Sequence, residues 1–417
     1  MADLLEFRDL KIGVTVREPG EKPRDVTIVD GISAGLAKGQ VLGLIGESGA
    51  GKSTIGLASM AYGRGGVEIT GGAVLLDGRD ILKEGRRGLM ALRGREVCYV
   101  AQSAAAGFNP AHRLIDQVVE ATVLHGLASR AEAEARAVDL FRALSLPDPE
   151  HILQRYPDLG SCGQLQRVMT AMALCPQPDL IVFDEPTTAL DVTTQIDVLA
   201  AIKNAIRVTG VAALYITHDL AVVAQVSDEI MVLRQGQMVE HGTAEQIITA
   251  PREEYTKALV SVRSIDHPEQ APGNDPILRV ENITASYGGG STVLDDVSVA
   301  LHASQTLAVV GESGSGKSTL ARVITGLLPP KSGQILFEGR ALTPALKDRT
   351  RDDQREIQMI YQMADTAMNP RQTVATIIGR PLEFYFGIKG AARDARVAEL
   401  LDEIELPVEM AQRYPAE

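Results

Sequence analysis

Two nearly identical glycine-rich segments limit what this sequence can fold into more than any other feature. Residues 46–53 read Gly-Glu-Ser-Gly-Ala-Gly-Lys-Ser, and residues 311–318 read Gly-Glu-Ser-Gly-Ser-Gly-Lys-Ser. Both fit the pattern G-x-x-x-x-G-K-[ST]. In this pattern glycines let backbone N–H groups surround a phosphate, the lysine reaches the outer phosphates and the serine hydroxyl binds Mg²⁺. The sequence therefore predicts two sites for the phosphate chain of a nucleotide.

The residues around each segment support this interpretation, because a phosphate-binding loop joins a buried strand to a helix. The apolar run 41–45 precedes the first loop, and the run 307–310 precedes the second. We expect both runs to be strands and a helix to begin after each loop. The predicted nucleotide-binding residues are Gly46, Glu47, Ser48, Gly49, Ala50, Gly51, Lys52, Ser53 and Thr54 in the first loop, and Gly311, Glu312, Ser313, Gly314, Ser315, Gly316, Lys317, Ser318 and Thr319 in the second.

Shorter repeats indicate that the two loops belong to two copies of one domain. The tetrapeptide Gln-Arg-Tyr-Pro at 154–157 recurs at 412–415, and Asn109-Pro110 recurs as Asn369-Pro370. The residues between the copies are polar and rich in proline, which is typical of a linker. The predicted organisation is a complete domain at 1–263, a linker at 264–276 and a second domain at 277–417.

The bulk composition excludes several classes of protein. The net charge of −13 argues against a protein that coats nucleic acid. Three cysteines without ligand-like spacing offer no disulfide framework and suit a reducing cytosol. The N-terminus lacks the apolar core of a signal peptide, and no apolar run approaches the ~20 residues that span a bilayer. A role at a membrane would therefore depend on partner proteins.

Polar residues end three apolar runs that we expect to be strands of a mostly parallel α/β sheet. Asp184 and Glu185 follow one run, His218 follows a second and Gln102 follows a third. The carboxyl ends of parallel strands share one sheet edge, where α/β folds bind ligands. We expect Asp184 to hold Mg²⁺, Glu185 to polarise the attacking water, and His218 to contact the γ-phosphate and orient Glu185. Gln102 would supply a carbonyl to Mg²⁺ or to water.

Each of these residues alone would more simply be a solvated strand end or a structural side chain. The catalytic interpretation is favoured because these residues and a phosphate-binding loop lie at the same edge of the sheet. The predicted metal ligands are Ser53, Gln102 and Asp184 in the first copy, and Ser318 and Gln362 in the second.

The order of these motifs resembles that of an ABC-transporter ATPase. The chain has segments that look like each motif of that family, in the same order: Walker A (the loop at Lys52), the Q-loop (Gln102), the signature (a Tyr-Pro segment before a Gly/Ser loop), Walker B (Asp184-Glu185), the D-loop (Ala189-Leu190-Asp191) and the H-switch (Thr217-His218-Asp219). The resemblance covers nearly the whole chain. It implies an α/β P-loop NTPase fold with a parallel core sheet, an antiparallel β subdomain and a helical subdomain, followed by a second, partial copy.

Other segments resemble the oligopeptide and dipeptide uptake branch of that family. The similar segments are Phe108-Asn109-Pro110, Met368-Asn369-Pro370, Tyr156-Pro157 and the tail 250–259. Members of that branch import dipeptides, oligopeptides, glutathione, nickel chelates or opine-like compounds, and the substrate stays open among these.

The resemblance also implies a mechanism and partners. Two ATPase domains would pair head to tail around two ATP molecules with Mg²⁺, each ATP lying between the Walker A loop of one domain and the signature of the other. The partners would be two transmembrane permease subunits and an extracytoplasmic solute-binding protein, without nucleic acid, at the cytoplasmic face of the plasma membrane. The signature slot holds Ser161, Gly163 and Gln164, and the adenine-stacking and Q-loop slots of the second copy hold Tyr287 and Gln362.

Two positions depart from the family pattern. Cys162 replaces a signature glycine whose backbone approaches the γ-phosphate held by the opposite domain. A β-carbon there would crowd the nucleotide bound at Lys317. In the first copy the adenine-stacking slot falls near Val14, so we expect stacking to be lost or supplied elsewhere.

The spacing of the repeat places a second signature just beyond Glu417. We therefore expect a fragment or an interrupted gene product, which binds nucleotide through its first copy and hydrolyses it poorly unless a second chain completes it. Two alternatives stay open. One is a soluble twin-ATPase translation factor, against which the short acidic linker and the Asn-Pro loops argue. The other is an inactive ATP-binding remnant that competes for partners.

Overall fold

The computed structural model describes residues 3–16, 22–187, 192–261, 275–288, 290–312, 314–361 and 367–415. The chain divides into two compact units, residues 1–267 and 268–417. The predicted linker lies largely outside the described residues, as does Ala189-Leu190-Asp191, so the predicted domain boundaries and the D-loop stay predictions.

The centre of the first unit is a six-stranded sheet. With strands numbered along the chain, its order is β10 (Gln237–Thr243), β9 (Glu229–Arg234), β3 (Val41–Gly46), β8 (Ala212–Ile216), β7 (Leu180–Asp184) and β6 (Val97–Val100). Five strands run parallel, and β10 pairs antiparallel with β9. The carboxyl ends of the parallel strands therefore meet at one edge.

Strand β7 shows how the sequence forms this sheet. Leu180 and Val182 belong to an apolar cluster on one face, and Ile181 and Phe183 belong to a cluster on the other. Successive side chains of a strand point to opposite faces, so a continuous apolar run fits a strand that is covered on both sides. The run ends at Asp184, which places the acid at the carboxyl edge.

A second, antiparallel sheet covers one face of the core sheet. Its order is β2 (Arg24–Ala37), β1 (Asp3–Val16), β4 (Val67–Leu76) and β5 (Arg79–Asp80). Leu4, Phe7 and Ile12 of β1 share an apolar cluster with Leu42 and Leu44 of β3. This packing fixes the strand that leads into the first phosphate loop.

Helices connect the strands, and several of them, including Leu114–Leu124 and Cys162–Leu174, pack on the other face. The helices of the first unit span Lys52–Ala58, Arg86–Leu92, Ala104–Gly107, Leu114–Leu124, Arg130–Ala143, Pro149–Ile152, Cys162–Leu174, Val192–Thr209, Leu220–Val226, Ala244–Thr249 and Glu254–Ser261. A capping box begins the helix Arg130–Ala143: Ser129 Oγ accepts from the Glu132 N–H, and the Glu132 carboxylate accepts from the Ser129 N–H at 2.8 Å. No helix within the described ranges has both the length and the apolarity needed to cross a membrane.

The second unit repeats the antiparallel sheet of the first. Its order is β12 (Leu294–Leu301), β11 (Leu278–Ala285), β13 (Ser332–Phe337) and β14 (Arg340–Ala341). Its helices span Lys317–Ile324, Arg351–Glu356, Val374–Phe386 and Ala391–Glu403. The same strand order in both units agrees with the internal repeat seen in the sequence.

The prediction of a strand before the second loop is wrong. Residues 307–310 are not in a strand, and Leu307, Val309 and Val310 are 48, 50 and 86% exposed. In the first unit, β3 is a strand because β8 and β9 pair with it on both sides. Within the described part of the second unit no strand pairs with residues 307–310. An apolar run without pairing partners does not form a sheet strand.

Candidate active site

The first phosphate loop connects the end of β3 to the helix Lys52–Ala58. Gly51 precedes this helix with φ 91°, a left-handed conformation that glycine adopts readily and other residues rarely do. A β-carbon on Gly46 would collide with the carbonyl oxygen of Leu233 on β9. The backbone geometry therefore requires both glycines of the motif.

Lys52 lies buried at the start of this helix and is 5% exposed. Its Nζ donates to the carbonyl oxygens of Gly46 and Glu47 at 2.7 and 2.8 Å. Burial lowers the pKa of Lys52, and the nearby carboxylates of Glu185, Asp184 and Glu47 partly offset this effect. The lysine borders a cavity of about 230 Å³ lined by Ile28, Ser48, Gly49, Gly51, Lys52, Ser53, Thr54 and Glu185.

Both carboxylate oxygens of Asp184 accept hydrogen bonds. Ser53 Oγ donates to Oδ1 at 2.8 Å, and the Tyr99 hydroxyl donates to Oδ2 at 2.5 Å. Asp184 is 7% exposed, so its charge depends on these donors and on Lys52. Burial, followed by the bond to Asp184, raises the pKa of Tyr99, which keeps the phenol protonated as a donor.

Glu185 contacts the other two predicted catalytic residues. Gln102 Nε2 donates to its Oε2 at 3.0 Å, and His218 Nδ1 lies 3.2 Å from its Oε1. Its φ of 47° is left-handed, which is uncommon outside glycine and concentrates at functional sites. The structure thus brings Gln102, Glu185 and His218 together beside the loop of Lys52.

The oxygens of Ser53 and Asp184, which lie 2.8 Å apart, fit Mg²⁺. A hydroxyl and a carboxylate are hard oxygen ligands of the kind that this ion prefers. No cluster of three or more His, Cys, Asp or Glu side chains suited to a metal occurs in the described ranges. Mg²⁺ usually takes one or two carboxylates together with water and substrate phosphates, and Asp184 would supply such a carboxylate.

The second loop has the same local geometry. Gly316 has φ 97° before the helix Lys317–Ile324, and Lys317 Nζ donates to the carbonyl oxygens of Gly311 and Glu312 at 2.7 Å each. The hydroxyl of Tyr287 lies 3.3 Å from Thr319 Oγ1, the residue after Ser318. Tyr287 therefore stands beside this loop. Ser313 and Gln362 lie outside the described residues.

The signature residues form a helix N-terminus. Ser161 caps the helix Cys162–Leu174 through a capping box with Gln164. A β-carbon on Gly163 would collide with the Thr194 side chain, so that glycine is needed for packing. Cys162 is exposed and occupies the first helical position, where its side chain is tolerated. These residues do not line the cavity at Lys52.

Two residues of the site did not emerge from the sequence. Tyr99 holds Asp184, and Ile28 of β2 lines the cavity at Lys52. A tyrosine inside the otherwise apolar run before Gln102 is a signal that could have drawn attention to Tyr99. Nothing in the sequence around Ile28 distinguishes it from other core positions.

Comparison with known proteins shows which family this chain resembles. The sequence profile of the ABC transporter family matches residues 29–188 and 294–416. The glutathione import ATP-binding protein GsiA of Shigella dysenteriae serotype 1 is 35% identical over 439 residues, covering 94% of this chain and 70% of that protein. GsiA of Escherichia coli strain K12 is 34% identical with the same coverage.

Solved structures show the fold. The dimeric ATP-binding cassette MJ0796, in a post-hydrolysis state bound to ADP and Pi, is 23% identical with a TM-score of 0.50, covering 58% of this chain and 98% of that chain. CbiO1 from Clostridium perfringens, part of the transporter complex cbiONQ, is 20% identical with a TM-score of 0.51, covering 63% of this chain and 96% of that chain. The predicted fold class is confirmed. The chain belongs to the ABC transporter family and is an ATP-binding ATPase of that family.

Proposed function

We propose that ATP hydrolysis at the Lys52 loop energises the import of peptides or related small solutes. The proposal rests on one observation: five side chains lie close together at one sheet edge, namely those of Lys52, Asp184, Glu185, Gln102 and His218. The relatives named as glutathione import ATP-binding proteins support a peptide-like solute.

In this proposal each residue has its own role in hydrolysis. Lys52 neutralises the outer phosphates, and Glu185 orients and polarises the attacking water. Gln102 and His218 hold the two oxygens of Glu185, so the carboxylate is positioned before the substrate arrives. Phosphoryl transfer depends on positioning and charge neutralisation more than on covalent catalysis, and these residues provide both.

Ser53, Asp184 and Gln102 are the residues that would hold Mg²⁺ in the first unit. The bound ion would neutralise charge on the phosphates of ATP. Ser53 and Asp184 are already in contact at 2.8 Å, which keeps their oxygens close together. Ser318 and Gln362 would have the same role in the second unit.

The proposal includes a head-to-tail pairing of ATPase domains. Ser161, Gly163 and Gln164 would contact the nucleotide of the opposite domain, since they lie apart from the cavity beside Lys52. An importer ATPase acts on membrane permease subunits, and we propose two of these together with an extracytoplasmic solute-binding protein. The chain would then lie peripherally at the cytoplasmic face of the membrane.

Mg²⁺-ATP hydrolysis by the purified chain, beside a Glu185→Gln variant, tests the proposal. We expect the substitution to lower turnover by about 100-fold or more, because it removes the carboxylate that polarises water. Glu120→Gln changes an exposed glutamate of the helix Leu114–Leu124 and should leave the rate unchanged. A Glu185→Gln variant as fast as the wild-type chain would overturn the assignment.

The transport role needs a separate measurement. In vesicles that contain the permease subunits, a loaded solute-binding protein should increase the ATPase rate. Glutathione, dipeptides and oligopeptides would be compared as solutes. A rate that none of them changes would contradict a peptide-like substrate, while leaving the ATPase assignment intact.

A further inference from the structure

The helix Glu254–Ser261 contacts the first phosphate loop through Tyr255. The hydroxyl oxygen of Tyr255 accepts a hydrogen bond from the backbone N–H of Glu47 at 3.3 Å. Glu47 is the second residue of the loop. The tail of the first unit therefore contacts the nucleotide-binding loop directly, through a side chain 208 residues away along the chain.

The bonded N–H belongs to the peptide group that joins Gly46 to Glu47. The carbonyl oxygen of that same peptide accepts the hydrogen bond from Lys52 Nζ at 2.7 Å. A peptide group is planar, so Tyr255 and Lys52 bind opposite ends of one rigid unit. A rotation of this plane that breaks one bond also weakens the other.

The orientation of this peptide affects how Lys52 meets a phosphate. A lysine ammonium has three N–H donors. Two of them are directed to the carbonyl oxygens of Gly46 and Glu47. Lys52 also borders the cavity beside the loop, and the third donor is the one left for a phosphate there. Fixing the two carbonyl oxygens therefore limits the directions that the third donor can take before ATP binds.

The ring of Tyr255 is itself held in place. The guanidinium carbon of Arg234 lies 4.8 Å from the centroid of the ring, within cation–π range. Tyr255 and Leu259 pack against an apolar cluster that includes Ile45, the residue before Gly46. The hydroxyl is thus supported by contacts that do not depend on its hydrogen bond.

The start of the helix is anchored by a buried acid. Glu240 of β10 is 8% exposed, and its two carboxylate oxygens accept from the N–H groups of Arg252 and Glu253 at 2.9 and 3.1 Å. These donors lie just before the helix begins and have no intrahelical partner of their own. Glu240 therefore fixes the segment that presents Tyr255 to the loop.

We propose that residues 252–261, here named the strap, position the phosphate-binding lysine, and that Tyr255 is the positioning residue. The strap acts through the Gly46–Glu47 peptide, which sets the direction of the Lys52 ammonium. This inference rests on the proposed role of Lys52 in binding the phosphates of ATP. It gives a function to a tail segment that the catalytic mechanism does not use.

Equilibrium binding of ATP to the full chain tests the proposal. Every protein would carry Lys317→Ala, so that the first loop dominates the signal. Tyr255→Phe keeps the ring, its contact with Arg234 and its packing, and removes only the hydroxyl. We expect it to weaken ATP binding by about two- to tenfold, which is the range for one neutral hydrogen bond.

A double-mutant cycle separates positioning from a general structural effect. In a Lys52→Ala background the Tyr255→Phe substitution should have no further effect, because the group that it positions is gone. Tyr62→Phe is a matched control, since the Tyr62 ring also lies over an arginine, with Arg93 Cζ 5.4 Å from its centroid. This control should bind ATP normally.

Three results would count against the inference. Wild-type affinity in Tyr255→Phe would overturn it, and so would an equal loss of affinity in the Lys52→Ala background. Unchanged affinity in Lys52→Ala alone would instead overturn the role of Lys52, and with it the premise of the inference. The measurements therefore distinguish an incorrect role for the strap from an incorrect assignment of the nucleotide site.

Discussion

The adjacent acids Asp184 and Glu185 have different surroundings at the end of β7. Asp184 is buried, and its oxygens are held by Ser53 and Tyr99. Glu185 has a left-handed backbone and is held by Gln102 and His218. The first arrangement suits a fixed metal ligand. The second places a carboxylate among polar side chains beside the cavity, which suits an acid that acts on water.

Tyr99→Phe should destabilise the first unit. The substitution leaves a buried carboxylate oxygen without its phenol donor, at a cost of about 1–3 kcal/mol for a hydrogen bond to a charged group. We expect a lower melting temperature in scanning calorimetry of the nucleotide-free chain. Tyr156→Phe, which changes a tyrosine that is 41% exposed, is the control. Equal melting temperatures for Tyr99→Phe and the wild-type chain would contradict the role of this hydrogen bond.

At the scale of elements, the site depends on parallel strands ending at one sheet edge. Strand β3 delivers the loop, β7 delivers the acids, and β8 leads to His218. The strap adds a further contact to the loop, because Glu240 of β10 anchors the start of the strap and the helix Glu254–Ser261 carries Tyr255. A segment outside the catalytic motifs thus contributes to the geometry of the loop.

The strap should open at acid pH because of Glu240. Burial alone would raise the pKa of Glu240, but the hydrogen bonds that its carboxylate accepts, with that from the Arg252 N–H foremost, and the charge of Arg252 together hold the pKa below its usual value. The stabilisation is therefore complete above the unfolded pKa of about 4.3 and is lost as the pH falls through the lower folded pKa.

Hydrogen exchange of the strap amides in Glu240→Gln checks this expectation. At neutral pH the variant should exchange faster than the wild-type chain, because an amide side chain has one acceptor oxygen for two N–H donors. The difference should shrink as the pH falls and Glu240 becomes protonated. Glu245→Gln, an exposed position on the preceding helix, should exchange like the wild-type chain. A pH-independent difference would contradict the titration of Glu240.

At the scale of the whole molecule, two units carry the same loop on different supports. Lys52 is 5% exposed, and β3 before it is paired on both sides. Lys317 is only half-buried, and residues 307–310 before it form no strand. The two loops share their local hydrogen bonds, so any difference between them comes from the surrounding structure.

We therefore expect the two loops of this chain to bind ATP with different affinities. The first should bind more tightly, by about tenfold, which corresponds to ~1.4 kcal/mol of preorganisation. In titration calorimetry Lys52→Ala should remove the tighter phase, and Lys317→Ala should remove the weaker one. Two phases of equal affinity would show that the loop sequence alone sets nucleotide binding.

Much of the site follows from the sequence because its motifs are local. The glycine pattern predicts both loops, and the run before Asp184 predicts a strand that ends at the sheet edge. The capping box at Ser129 and Glu132 is likewise encoded within four residues. Such features depend on backbone conformation and side-chain period, which neighbouring residues set.

Tertiary structure alone decided the remaining contacts. Tyr99 and Asp184 are 85 residues apart, and Tyr255 and Glu47 are 208 apart, so no local pattern links them. The same apolar character produces a strand at β3 and none at 307–310, because a strand exists only where neighbours accept its hydrogen bonds. The sequence by itself determined the local motifs, and the packing of distant segments determined how the residues of those motifs are held.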